Sequence, residues 1–248
     1  MNKIYWGKDE IVMLTDHLNA VSHKHLMLQL FLGLEDDVKI HIRGRSVTGS
    51  CVITGNDVAH AFFANKKPHL SVLFEPVSAA ALQIEAKMND CDYLAFGKEE
   101  TEDIRKTARD LSVQFSPQLY EKLIGEIYQL LSIAQRETTF DERVSELLQN
   151  IEECDCGDHS ISHFASQVCL SDSRLSHLFK EQTGMTLKGY ISLHRMKRAF
   201  SLLLSGEGIT DAAMKAGFDS PSHFAATVKK MMGMPARLSL KDSEFLKV

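Results

Sequence analysis

Arg174, His177 and Lys180 recur at three-residue spacing on the outward side of a short amphipathic segment whose Leu175, Leu178 and Phe179 share the opposite face. Such a row is either a solvated face or a surface able to do non-covalent chemistry on nucleic acid. A guanidinium pairs in bidentate fashion with guanine or holds a phosphate, and an imidazole donates to an acceptor on a base edge. The ammonium groups of Lys180 and of Lys229 further on are matched to phosphate oxygens. No Ser/His/Asp or Cys/His constellation stands out and no glycine-rich phosphate loop is present, so an enzyme is not expected. The five cysteines are odd in number and scattered, which favours free thiols in a reducing compartment. Cys154-Asp155-Cys156 is too close-set for a zinc half-site, and reads as two small residues in a linker before it reads as a redox switch.

The charge of the chain is divided. Residues 158–248 carry 12 Lys and Arg against 8 Asp and Glu, whereas the first 157 carry 16 against 25. A basic segment behind an acidic one is what a nucleic-acid module joined to a module of another kind shows. The 248 residues suffice for two modest domains. No run approaches the roughly 20 apolar residues of a membrane helix. Met1–Glu10 lacks the apolar core of a signal peptide, so a cytoplasmic protein is expected.

These groups need elements to hold them. From about Ile11 to Phe74 the chain reads as short strands broken by turns, among them 38–43, 47–53 and 70–74, with a turn at Gly55-Asn56-Asp57. That spacing predicts a barrel or sandwich. After Pro76 the period becomes helical over 78–88, 99–111, 117–136 and 141–151. Ser116 and Pro117 open the third of these well, and its stripe of Leu119, Leu123, Ile127, Leu130 and Leu131 suits packing on the barrel or on a second subunit. The polar run 153–159 is the expected linker between a 1–152 sensing domain and a 160–240 DNA-binding domain.

From Ser160 the sequence repeats itself. Residues 161–170 are matched by 209–218, and 171–185 by 220–234, with Leu175 opposite Phe224, Phe179 opposite Val228, Lys180 opposite Lys229 and Gly184 opposite Gly233. Ser171 and Ser220 suit N-caps, and the two glycines suit left-handed C-caps. An amphipathic helix over 190–204 lies between the repeats. Two such helix-turn-helix units joined by a stiff helix can place recognition helices in successive major grooves, about 34 Å apart.

Residues 171–190 and 216–235 resemble the AraC/XylS regulators, above all Ala216-Gly-Phe-Asp-Ser-Pro-Ser-His-Phe224 followed by Lys229-Lys-Met-Met-Gly-Met-Pro235. The resemblance covers roughly the last 90 residues. It implies that Ser171, Ser173, Arg174, Ser176, His177 and Lys180 meet DNA in the first unit, and Ser222, His223, Thr227 and Lys229 in the second. The second unit departs from the pattern. Ala225-Ala226 stand where the family commonly has a long polar residue, Val228 replaces a Phe, and Ala236-Arg237-Leu238 replaces the closing Tyr-Arg. The first helix is therefore expected to supply most sequence discrimination, with the second positioning the protein or reading DNA shape.

In the N-terminal part, His23-Lys-His25, Gln29, Gly33, then Gly55, His60 and Asn65 resemble a degraded cupin pattern. In metal-binding cupins the first motif supplies two His and a carboxylate and the second another His; here Gln29 replaces the carboxylate and the second motif lacks its Pro-x-Gly. The resemblance implies the sensor barrel that many AraC-type regulators carry. His23, His25, Gln29 and His60 would line a pocket for an organic effector or hold a divalent metal, imidazole suiting Zn, Fe, Ni or Cu. Gln29 weighs against the metal. His41 and His69 are expected as surface or strand residues.

Together these readings give an α+β chain, with a cupin-like β-barrel bearing helices ahead of an all-α tandem helix-turn-helix domain joined by a long helix. The expected function is a DNA-binding transcription regulator, more an activator than a repressor, controlled by a small molecule in the barrel. Its expected partners are double-stranded DNA, the effector, RNA polymerase and a second copy of the chain, and no membrane. The alternative is a metal-binding cupin sensor or enzyme fused to a DNA-binding domain, and a barrel that binds a partner protein is a third.

Overall fold

The computed structural model describes residues 2–134, 139–154, 160–235 and 244–248. By internal contacts the chain divides into two units, Met1–Glu137 with Lys229–Val248, and Thr138–Val228.

The first unit is α+β. Its strands are β1 (Asn2–Trp6), β2 (Glu10–Thr15), β3 (Asn19–His23), β4 (Leu28–Gly33), β5 (Val38–Ile42), β6 (Arg45–Gly49), β7 (Cys51–Thr54), β8 (His60–Phe63), β9 (His69–Phe74), β10 (Tyr93–Phe96) and β11 (Glu244–Lys247). Seven form one sheet in the order β10-β7-β4-β9-β2-β1-β11, and four form a second in the order β3-β8-β5-β6. Neighbours are antiparallel, except that β11 runs parallel to β1. The helices are α1 (Ala79–Met88), α2 (Lys98–Val113) and α3 (Pro117–Leu130).

Strand β4 explains the layering. Leu28, Leu30 and Leu32 join a core with Ala81 and Ile84 of α1, Ile104 and Ala108 of α2, and Leu123 and Ile127 of α3. Phe31, between them in sequence, joins Val38, Ile40, Ile42 and Phe62 in a second core. Side chains alternate across a strand, so one face of β4 meets helices and the other meets the four-stranded sheet. The expected strand over 47–53 is two strands. It is interrupted at Ser50, where the chain leaves β6 in the small sheet and enters β7 in the large one. The β5–β6 hairpin turns on Arg43 and Gly44, both at positive φ (46° and 79°), as a two-residue primed turn requires.

The stripe on α3 is settled by packing. Leu123 and Ile127 are wholly buried and Leu131 nearly so, all in the helix-and-sheet core of their own unit, with Leu119 and Leu130 partly buried against it. The helix ends at Leu130, short of the expected Arg136, which lies outside the described residues. Ser132 takes φ 48° there, and Ile133 N–H closes on the Tyr128 carbonyl at 2.9 Å, a left-handed stop without glycine.

The second unit is helical: α4 (Glu142–Glu153), α5 (Ile161–Gln167), α6 (Asp172–Thr183), α7 (Leu187–Leu204), α8 (Ile209–Lys215) and α9 (Pro221–Met232), whose last turn groups with the first unit. The unit division falls ahead of the 153–159 run because α4 belongs with the helices that follow it. Asp141 N–H donates to Gln182 Oε1 on α6 (3.1 Å), and the Arg198 guanidinium on α7 donates to the Cys154 carbonyl. Residues 155–159, with Cys156, and residues 236–240 at the end of the expected DNA-binding domain lie outside the described residues. Cys51, Cys91 and Cys169 are free thiols as expected, whereas Cys154 is disulfide-bonded.

Candidate nucleic-acid interface and histidine cluster

The repeat read in the sequence is repeated in hydrogen bonds. Leu170 N–H bonds to the Ala165 carbonyl (2.9 Å) as Phe218 N–H does to Ala213 (3.0 Å), and Gly184 closes on Lys180 (2.8 Å) as Gly233 does on Lys229 (3.1 Å). Leu175, Leu178 and Phe179 of α6 and Phe224 and Val228 of α9 are buried. That burial turns the polar residues outward.

On α6, Ser173, Arg174, His177 and Lys180 are exposed and Ser176 is half-buried. Ser171 is exposed too, but its Oγ accepts the Arg174 N–H (3.3 Å), so its hydroxyl is already engaged as the helix cap. On α9, Ser222, His223 and Lys229 are exposed and Thr227 is half-buried, beside the exposed Ala225 and Ala226. His223 Nδ1 lies 3.0 Å from Asp219 Oδ2, so one of its nitrogens is committed to its own helix turn. The expected poverty of polar readers on α9 is therefore greater than the residue types alone indicate. Asp219 carried no signal in the sequence.

In the first unit, His23, His25, His60 and Gln29 come together. His23 ends β3 and pairs directly with His60 at the start of β8, while Gln29 lies on β4 of the other sheet. One nitrogen from each ring falls within 4.8 Å of the others. The Nδ1 of His23, His25 and His60 each lies 2.8 Å from a backbone carbonyl, those of Val21, Met27 and Val58 respectively. A carbonyl only accepts, so each Nδ1 carries the hydrogen and Nε2 is left as a bare lone pair. Burial first, then the neighbouring histidines, pushes His25 down to about 4 and His60 to about 3; burial also lowers His23. All three rings are neutral at pH 7.

Gln29 Oε1 lies 3.1 Å from His25 Nε2 and 3.2 Å from His60 Nε2, and its amide donates to Ser71 Oγ (2.8 Å). Two lone-pair nitrogens thus face a lone-pair oxygen with no proton among them. A Lewis acid satisfies that geometry. So does the amide turned over, its NH2 donating to both rings and its oxygen accepting from Ser71. Three imidazole nitrogens and one carbonyl oxygen, all neutral and with their outer hydrogens fixed, are donors for a late first-row divalent ion and not for Mg or Ca. Gln29 sits within hydrogen-bond reach of both His25 and His60, and in the orientation with Oε1 toward the rings its carbonyl would serve as a fourth, neutral ligand. Ser71, which holds it, left no trace in the sequence.

His41 is exposed on β5 and His69 is buried on β9, both strand residues as expected. His69 helps line a cavity of about 200 Å³ with Phe62, Lys39, Lys67 and Gly33.

Residues 164–239 match the family described as Helix-turn-helix domain. The chain is 32% identical over 100 residues to the HTH-type transcriptional activator RhaS of Klebsiella pneumoniae, covering 40% of this chain and 36% of that protein. It is 36% identical over 96 residues to the arabinose operon regulatory protein of Salmonella typhimurium, covering 38% and 34%. The chain therefore spans about a third of the length of these curated relatives. Among solved structures, apo ToxT from Vibrio cholerae matches with a TM-score of 0.59 at 14% identity, over 94% of this chain and 97% of that one. Residues 164–239 are thus a helix-turn-helix domain similar to part of these regulators, and the whole chain has the fold of ToxT, a β-rich part followed by a helical one.

Proposed function

We propose that the chain is a sequence-specific DNA-binding transcription regulator whose β-rich unit senses a small molecule. The observation that carries it is the duplicated helix-turn-helix, with Ser173, Arg174, His177 and Lys180 exposed on the second helix of one unit and Ser222, His223 and Lys229 on that of the other. Arg174 and His177 read base edges and Lys180 and Lys229 hold phosphates. Relatives named as activator and operon regulator support a role in activation, exercised through RNA polymerase. A homodimer in the cytoplasm belongs to the same reading. Among the described residues no helix is long and apolar enough to cross a membrane.

The sensing site of this proposal is the cluster of His23, His25, Gln29 and His60. ToxT has been solved with an unsaturated fatty acid bound, which supports a small-molecule effector for a chain of this fold. The cluster itself favours the metal-sensing form of the reading over an organic one, since one nitrogen from each of three histidines lies within 4.8 Å of the others.

The test is retention of sheared genomic DNA by the tagged chain at two salt concentrations, followed by sequencing. Fragments sharing a motif and surviving the higher salt support the regulator; only diffuse retention that fades with salt counts against it.

A further inference from the structure

The ladder between β3 and β8 slips between Ala20 and His23, so Val21 is left out of its register. Its N–H donates instead to the carbonyl of Gly233 (3.2 Å), in the segment that closes α9. The carbonyl of the same Val21 accepts the Nδ1 hydrogen of His23 (2.8 Å). One residue thus ties a ring of the histidine cluster to the end of a helix that carries Ser222, His223 and Thr227.

The contact is steric as well. A Cβ on Gly233 would lie 2.4 Å from the Val21 oxygen and 2.6 Å from His23 Nδ1, and Gly233 takes φ +65°. Only glycine meets both demands. The next residue, Met234, is buried in the core between the sheets with Ala20 and Phe62. The end of α9 is therefore seated against the wall of the cluster, so close to the His23 ring that not even a methyl group at 233 would fit between them.

We propose that Val21 and Gly233 read out the state of the histidine cluster: a divalent transition-metal ion taken by His23, His25 and His60 fixes the His23 ring and so fastens the Gly233 segment. This rests on the sensor reading of the same cluster and names its ligand class and its output. Binding at Nε2 draws electron density from the ring, which makes Nδ1–H a stronger donor to the Val21 carbonyl, and it removes the ring's freedom to rotate. The three imidazole donors carry no charge, so the affinity comes from preorganised lone pairs and not from attraction to a carboxylate.

The experiment uses the full chain stripped with chelator and titrated with ZnCl2 or NiCl2. Calorimetry reads binding, and hydrogen exchange reads peptides covering 19–23 and 229–235. One ion should bind per chain, His60→Gln should weaken it at least tenfold, and exchange in both peptides should slow at least tenfold on binding. Gly233→Ala should keep the ion but lose the slowing, with exchange in 28–32 unchanged from the parent to show that the unit is folded. No binding, or binding without slower exchange in either peptide, overturns the proposal. Retention of genomic fragments in the same samples reads the regulator separately. Motif-specific retention with exchange indifferent to metal sinks the coupling and leaves the regulator standing, whereas metal-dependent exchange with only diffuse retention does the reverse.

Discussion

Cys169 adopts φ 55° at the position where the repeat places Gly217 at φ 85°. Both close the first helix of their helix-turn-helix, Cys169 N–H on the Ser166 carbonyl and Gly217 N–H on Met214. The same backbone demand is met once by glycine and once by a side chain that resists it. A non-glycine residue in this region costs about 1–2 kcal/mol, and the greater freedom of glycine in the unfolded chain returns part of that. Cys169→Gly should raise stability by up to about 1 kcal/mol, and Gly217→Ala should lower it by about 1–2 kcal/mol, both read from denaturant midpoints. Equal effects of the two substitutions would remove the distinction between the repeats.

His69 gives the fold an acid limit. Its Nδ1 donates to the Lys67 carbonyl (3.0 Å), its ring meets Phe62 at 4.8 Å, and its buried Nε2 has no hydrogen-bond partner among the described residues. Burial, above all, pushes it down to about 4. An unfolded histidine titrates near 6.5, so the unfolded chain takes up the proton first as pH falls. The stability is full above about 6.5 and is lost as pH falls toward 4, reaching about 2 kcal/mol at pH 5. Thermal midpoints between pH 7.5 and 5 should fall less steeply in His69→Phe than in the parent chain. Parallel profiles would place the acid sensitivity elsewhere.

Tyr120 on α3 donates to Glu10 Oε1 on β2 at 2.6 Å, inside the unit. Burial raises the Glu10 carboxyl above its ordinary range, and the Tyr120 hydroxyl opposes that rise. Tyr120→Phe leaves a buried carboxylate without its donor and should cost about 2 kcal/mol. The raised group costs nothing while protonated and more as pH rises above its ordinary value. The loss should therefore be larger at pH 8 than at pH 5, measured by urea midpoints; a loss independent of pH would contradict the assignment.

The α6 residues predict separable effects on DNA. Lys180→Ala should weaken binding to all sequences alike and reduce the slope of log affinity against log salt by about 1. His177→Ala should leave that slope unchanged and cost about 1–3 kcal/mol of discrimination between the preferred motif and its single-base variants. If His177→Ala kept specificity while Ser222→Ala abolished it, α9 and not α6 would be the reader.

The helical half was legible because its repeat writes the same physics twice. Leu175 and Phe224, Ser171 and Ser220, Gly184 and Gly233 each mark a buried face, a cap or a stop by residue type. The sheets were legible in part. The alternation of Val38–Ile42 shows because one face is exposed, whereas β4, β7 and β9 are buried on both faces and lose their period. The end of α3 was hidden because Ser132 makes a left-handed turn that sequence reserves for glycine. Of the histidine cluster, the four residues were visible by type. The carbonyls that fix its rings, the Ser71 that holds Gln29 and the pairing of Val21 with Gly233 depend on segments far apart in the chain, and no local pattern announces them.

The parallel pairing of β11 with β1, Lys3 opposite Glu244 and Trp6 opposite Lys247, bears on how the protein is made. β1 is made long before β11, so its outer hydrogen-bonding edge lacks this partner until both helix-turn-helix repeats have been translated. Until then that strand is an open edge of the kind that recruits foreign strands, and its neighbour arrives only after the longest strand-pairing loop closure among the described residues. A nascent chain stalled within α7 would hold six of the seven strands of the larger sheet and still lack the strand that seals it.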